Sequence, residues 1–198
     1  MKSPAVAIVL SALLCCAAVL SRPLLPPDET RYVTVAWESL QRGDFLVSHL
    51  NGATYAHKPP LLFWLINLAW AVFGSGDYVA RCVAPLAGLV SIWLTWRLSL
   101  RLWPGQLERA AMASLIHASC MLWMFFSPVT MFDTLLTVCV QGALLGALRA
   151  ASGDRRGLFQ MAVGMGLGIL SKGPVLLVFV LPVLLAGPVC LPVQKRGP

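Results

Sequence analysis

The sequence predicts an all-α integral membrane protein of about six transmembrane helices, with two juxtamembrane amphipathic helices in the first external loop. Three observations carry this. Of 198 residues, 58% are hydrophobic and 12% charged, against about 45–50% and about 25% in soluble domains. The apolar residues gather in runs long enough to cross a bilayer, and the basic residues sort to one side of those runs. This balance excludes a soluble globular domain, a disordered chain and a disulfide-rich secreted module. The net charge of +7 comes from fifteen Lys and Arg scattered among the apolar runs. That pattern builds no basic face, so no nucleic-acid partner is expected. The six cysteines lie in or beside apolar runs without metal-ligand spacing, and read as small hydrophobes.

About 20 apolar residues span a bilayer, and about 17 can suffice. Runs 4–20, 79–98, 110–126, 134–150, 157–170 and 175–191 are the candidate spans. The first, preceded by Lys2, has the look of a signal peptide. It lacks an A-x-A site and is followed by Arg22-Pro23, so it reads as an uncleaved anchor. Residues 21–78 form the first external loop. Pro26 and Pro27 stop the preceding span, and Asp28 is placed to N-cap a new helix. Tyr32, Ala36 and Leu40, flanked by Val33 and Trp37, make its apolar stripe, and Gly43 closes it. A further apolar run, 60–73, is fourteen residues long. Charge decides whether it crosses. If it does not, Lys2, Arg97, Arg101, Arg109, Arg149, Arg155, Arg156, Lys195 and Arg196 share the cytoplasmic side with only Glu108 and Asp154. On the other side, six basic residues balance six acidic ones. If it crosses, only Lys2, Arg81 and Lys172 remain cytoplasmic. The positive-inside rule selects the first arrangement. Run 60–73 is therefore a surface helix, with Trp64 and Trp70 suited to the interfacial belt. Residues 1–198 form one membrane domain, ending in a Pro/Gly-rich tail at 187–198.

Of the charged residues on the non-cytoplasmic side, Asp28, Lys58, Asp133 and Lys172 are the candidates for chemistry. Asp28, kept ionised by the helix N-terminus, can act as a general base, bind a cation or cap the helix. Glu29 beside it reads as a surface residue that complements the helix dipole. Lys58, in Tyr55-Ala56-His57-Lys58-Pro59-Pro60, can hold a lipid phosphate as a point charge or anchor the chain at the interface. His57 is a candidate ligand or proton carrier. Asp133 must be paired, solvated or functional so close to hydrocarbon, or cap a helix starting at Thr134. Lys172, in the turn Ser171-Lys172-Gly173-Pro174, can join the same surface or simply snorkel.

The string Pro-Pro-Asp28-Glu29-Thr-Arg31-Tyr32 is followed by Gly43-Asp44-Phe45, Asn51-Gly52, Tyr55 and Lys58-Pro59-Pro60. Phe73-Gly74, Arg81, Asp133 and Leu170-Ser-Lys172-Gly-Pro174 come next. From about Leu20 to about Leu185 the chain resembles bacterial polyprenyl-phosphate-dependent glycosyltransferases of the GT-C class. Lipid A aminoarabinose transferases and protein O-mannosyltransferase-like enzymes belong to that class. The resemblance implies sugar transfer from a polyprenyl-phosphate carrier to a lipid, glycan or protein acceptor, at the non-cytoplasmic face of a bacterial inner membrane. It implies Asp28 at the active site and Lys58 near the carrier phosphate; a physical mechanism then adds Asp133 as a second catalytic residue and Arg31 or Lys172 beside Lys58 on the phosphate. Glu29, His57 and Tyr55 would support them. No cofactor is evidently required, although Asp133 could either orient the acceptor or share a divalent cation with Asp28. Aminoarabinose transferases have Glu where this chain has His57, a departure bearing on the sugar and on any metal. Family members run for several hundred residues, so this chain reads as their N-terminal portion. Two other functions compete, a lipid-linked sugar transporter or flippase and a non-catalytic membrane subunit. A transporter places ionisable groups midway along its spans. Here only His117 does so among the non-thiol groups of spans two to six.

Overall fold

The computed structural model describes residues 2–190. Its helices are α1 (Ala5–Ser21), α2 (Asp28–Arg42), α3 (Leu61–Phe73), α4 (Asp77–Leu102), α5 (Leu107–Ser119), α6 (Met121–Phe126), α7 (Phe132–Ala151), α8 (Arg156–Lys172) and α9 (Val175–Cys190). Two short strands, β1 (His49–Leu50) and β2 (Ala53–Thr54), pair antiparallel between α2 and α3. The end of span 175–191 and the tail that carries Lys195 and Arg196 lie outside the described residues. Among the described residues, α4 and α7 are long and apolar enough to cross a membrane, by length and composition.

The long helices alternate in direction, and contacts at their ends reveal two poles. Arg22, just after α1, reaches Glu29 and the Pro128 carbonyl. Lys172, ending α8, meets Asp133 in the first turn of α7. We call this the site end. At the other end, Arg149 and Asp154 pair between α7 and α8. Helix α3 does not traverse the bundle. Lys58, just before it, sits over the Phe132 ring. The turn after it leads into α4, whose Arg81 approaches the Ala18 carbonyl at the end of α1. Both ends of α3 therefore lie at the site end. Its inner face, with Phe63, Ile66 and Trp70, packs into a core shared with α2, α4 and α7.

Three expectations need correcting. Run 110–126 is not one helix. At Cys120 the backbone is extended (ψ 123°), so α5 stops and α6 restarts. The last turn of α5 is tightened there, because the Cys120 amide donates to the His117 carbonyl and Ser119 Oγ to that of Ile116. Asp28 is not an N-cap. Pro27 occupies that position, and the Asp28 side chain makes no capping bond. Trp37 leaves the buried stripe of α2. It is 42% exposed and meets Trp70 edge-on at 5.8 Å.

The strand pair has a local cause. Asn51 and Gly52 both adopt positive φ (52° and 81°), the combination a two-residue hairpin turn needs. Glu38 accepts their two backbone amides, which ties this loop to α2.

The α7–α8 hairpin is held by glycine. A Cβ on Gly146 would lie 2.5 Å from the Met161 amide nitrogen. One on Gly157 would lie 2.4 Å from that of Ala150, and one on Gly164 2.7 Å from that of Ala143. The two backbones touch where no side chain fits, which is how helices associate when lipid removes the hydrophobic drive between them.

Candidate functional site

Phe132, the first residue of α7, links the site. Its ring lies 5.0 Å edge-on from Tyr32 and 5.5 Å from Phe63, and the Lys58 ammonium stands 5.9 Å from its centre. Its carbonyl accepts the Ser171 hydroxyl, which docks the end of α8 beside it. The next residue, Asp133, pairs with Lys172 at 2.5 Å. The fold thus brings Lys58, Asp133 and Lys172 around one aromatic residue. Asp133 does not cap a helix starting at Thr134, because α7 already begins at Phe132. Nor is Lys172 a lone snorkelling lysine, since its ammonium is bound to a carboxylate.

Asp28 joins them through Tyr32. The Tyr32 hydroxyl donates to Asp28 Oδ1 at 3.4 Å, and Arg31 approaches the same oxygen at 3.8 Å. With the capping role gone, the Asp28 carboxylate is half-exposed and open to a ligand. Burial, followed by the Asp28 charge, pushes the Tyr32 phenol up to about 12, so it stays a hydrogen-bond donor at neutral pH. Tyr55 packs against Phe63 and the His57 ring. Its hydroxyl is buried and, among the described residues, has no partner. Lys58 makes no ion pair among the described residues, unlike Arg31 and Lys172. An ammonium facing an aromatic ring, without a carboxylate, stays available to an anion.

Glu29 departs most from expectation. It is fully buried, not a surface residue. Arg22 forms a two-pronged pair with it, and the amides of Leu25 and Thr130 donate to it at 2.9 and 2.7 Å. Burial alone would raise its carboxyl. Arg22 and the two amides outweigh this and hold it below the ordinary value of 4.5. Glu29 thereby fastens the first turn of α2, which carries Asp28, to the segment leading into α7. Neither Arg22 nor Thr130 stands out in the sequence, because the contacts with Glu29 and Pro128 span up to 106 positions.

A lowered carboxyl stabilises the fold above its unfolded value and loses that contribution as pH falls through the folded one. Glu29→Gln is therefore expected to cost about 3 kcal/mol at pH 7, the lower end for breaking a buried pair. The gap from the unsubstituted chain should narrow as pH drops below 4.5. Thermal unfolding in detergent across that range checks it, and a gap constant with pH would overturn the assignment.

These features define a helical membrane protein with a charged rim at one end of its bundle. Residues 57–195 match the dolichyl-phosphate-mannose-protein mannosyltransferase family, and the chain belongs to that family. The fold matches the apo crystal structure of ArnT from Cupriavidus metallidurans at a TM-score of 0.79 and 25% identity, covering 92% of this chain and 36% of that one. The undecaprenyl phosphate-alpha-4-amino-4-deoxy-L-arabinose arabinosyl transferase of Pectobacterium atrosepticum is 34% identical over 198 residues, 96% of this chain and 34% of its own length. A second transferase of that name, from Sodalis glossinidius, is 31% identical over 180 residues, 88% of this chain and 32% of its length. The chain spans about a third of the length of these relatives.

Proposed function

We propose that this chain forms the carrier-binding rim of a glycosyltransferase that moves a sugar from a polyprenyl phosphate to an acceptor hydroxyl. The observation that carries it is Lys58, a cation without a carboxylate partner among the described residues, standing over Phe132, next to which Asp133 pairs with Lys172 and Tyr32 holds Asp28. The names of the relatives point to an undecaprenyl-phosphate-linked aminoarabinose as donor and a pentosyl transfer. His57, in place of the expected Glu, leaves the sugar open to a different assignment.

In this reading the anomeric carbon loses its bond to the phosphate oxygen, which departs with the electron pair. The acceptor oxygen bonds to that carbon from the opposite face, inverting it, and its proton passes to Asp28. Lys58, aided by Arg31, offsets the charge that grows on the phosphate. Tyr55 supports this site from within, packed between His57 and Phe63. Asp133 orients the acceptor and holds Lys172 in place, so Lys172 reaches a phosphate only by sharing its carboxylate. A divalent cation between Asp28 and Asp133 would have to displace Arg31 and Lys172, the partners those carboxylates have now.

The same reading crosses the membrane six times, with α5 and α6 together making the third span and α2 and α3 lying at the rim. Charge counting puts the site end outside the cytoplasm and the N-terminus within it, in a bacterial inner membrane. The acceptor is a lipid, a glycan or a protein, with lipid A the candidate by analogy to the aminoarabinose transferases. The distribution of ionisable groups favours chemistry at the rim over transport through the spans.

Titration of the chain in nanodiscs with undecaprenyl phosphate tests the carrier role. Lys58→Met is expected to weaken binding roughly tenfold to a hundredfold, the weight of a charge-assisted hydrogen bond, and Lys58→Arg to restore part of it. Equal affinity in the unsubstituted chain and Lys58→Met would reject the reading. Radiolabelled transfer from polyprenyl-phosphate sugars separates an enzyme from a binding subunit.

A further inference from the structure

A polar chain runs through the bundle away from the rim. Ser91 Oγ donates to Gln141 Oε1 at 2.9 Å, and Gln141 Nε2 donates to Thr95 Oγ1 at 3.0 Å. Thr95 Oγ1 lies 3.1 Å from the Ser91 carbonyl and 2.6 Å from His117 Nδ1. The four side chains come from α4, α7 and α5, so the network joins three helices in apolar surroundings. Thr95 has a single proton. All the contacts are satisfied together only when that proton goes to the Ser91 carbonyl and His117 Nδ1 carries its own proton to Thr95. The network therefore fixes the tautomer and the ring plane of His117.

That ring in turn holds α6. The Trp123 indole packs edge-on against His117 at 4.3 Å, across the break at Cys120. Trp123 and Ser127 both lie against Gly88 of α4, where an added Cβ would come within 3.4 Å of Ser127 Cβ. Ser127 donates its amide to the Trp123 carbonyl, and its hydroxyl meets Cys15 of α1 at 3.9 Å. From Ser127 the chain passes directly to Pro128 and Thr130, which hold Arg22 and Glu29.

We propose that Thr95, Gln141 and His117 are positioning residues for the Asp28 site, acting through the α5–α6 elbow and the 127–131 segment. The inference rests on the rim being the functional site, and deepens that reading. With the elbow fixed, Thr130 presents its amide to Glu29, and Glu29 sets the turn that carries Asp28. None of the three residues touches the rim itself.

Hydrogen exchange of the full chain in nanodiscs, followed by peptide, tests this without need of turnover. It is therefore distinguishable from a failure of the transferase reading. Thr95→Val keeps the shape of the side chain and removes the hydroxyl. It should speed exchange in 127–131 by roughly tenfold and leave the α8 peptides unchanged. Thr95→Ser, which keeps the hydroxyl, should match the unsubstituted chain. Unchanged exchange in 127–131 would overturn the proposal. So would equal acceleration in every helix, since that is general loss of stability and not positioning. Gln141→Leu provides a second break in the network and should reproduce the Thr95→Val pattern.

Discussion

Asp28→Asn is expected to lower sugar transfer by about a hundredfold to ten-thousandfold, the usual worth of a positioned general base. The amide keeps an oxygen to accept the Tyr32 hydroxyl and occupies nearly the same volume. Folding and carrier binding should therefore persist. What it cannot do is take the acceptor proton, and its loss should fall on kcat more than on the KM for the carrier. The measurement is transfer from a radiolabelled polyprenyl-phosphate donor, with carrier affinity measured in parallel. A chain that transfers at the unsubstituted rate with asparagine at this position would exclude Asp28 as the base. Loss of carrier binding together with transfer would instead point to a structural role for the carboxylate.

The second large effect concerns the fold. Gly164→Leu should cost about 3 kcal/mol or more, at the upper end for an overpacked contact. The reason is that the first carbon alone meets backbone that cannot rotate away. A Cβ there would lie 2.7 Å from the Ala143 amide nitrogen and 3.0 Å from the Cys139 carbonyl oxygen. Even alanine should force α7 and α8 apart. Gly142 and Gly166 belong to the same two helices and face open space. Alanine at either should be neutral or mildly stabilising, since alanine favours a helix by up to about 1 kcal/mol over glycine. Thermal unfolding of the four variants checks the contrast. Equal tolerance at Gly164 and Gly166 would refute the close crossing. Separation of the hairpin should also part Lys172 from Asp133, so the damage reaches the rim.

Much of the rim was legible because charge is costly near hydrocarbon. Asp28, Lys58, Asp133 and Lys172 could be put on one side by counting basic residues, and the fold gathers Lys58, Asp133 and Lys172 around Phe132. The same count kept 60–73 out of the membrane, and both ends of α3 do lie at one end of the bundle. What could not be read was pairing at a distance. Glu29 carries the same side chain whether it faces water or Arg22, and its partner Thr130 lies 101 residues away. The break at Cys120 was hidden for another reason. It has no proline or glycine to mark it, and depends on backbone bonds in the last turn of α5. The glycine contact did leave a trace, since Gly157 and Gly164 recur at a spacing of seven along one face of α8. A spacing of seven between small residues names no partner, and only the neighbouring backbone of α7 shows what they are for.

If the α7–α8 hairpin crosses as the six-span reading has it, its two ion pairs also make it a gauge of bilayer thickness. Asp133 and Lys172 meet at one end, Arg149 and Asp154 at the other. Between them, from Asp133 to Arg149, α7 advances 16 positions, or about 24 Å at the helical rise, a little less than the depth of a typical hydrocarbon core. Because glycine contacts leave the two helices no room to slide, this length cannot adjust by shear. A thicker membrane would draw one pair into acyl chains or tilt the whole hairpin. Either response moves Asp133 relative to Lys58, so lipid composition becomes a variable of the chemistry at the rim.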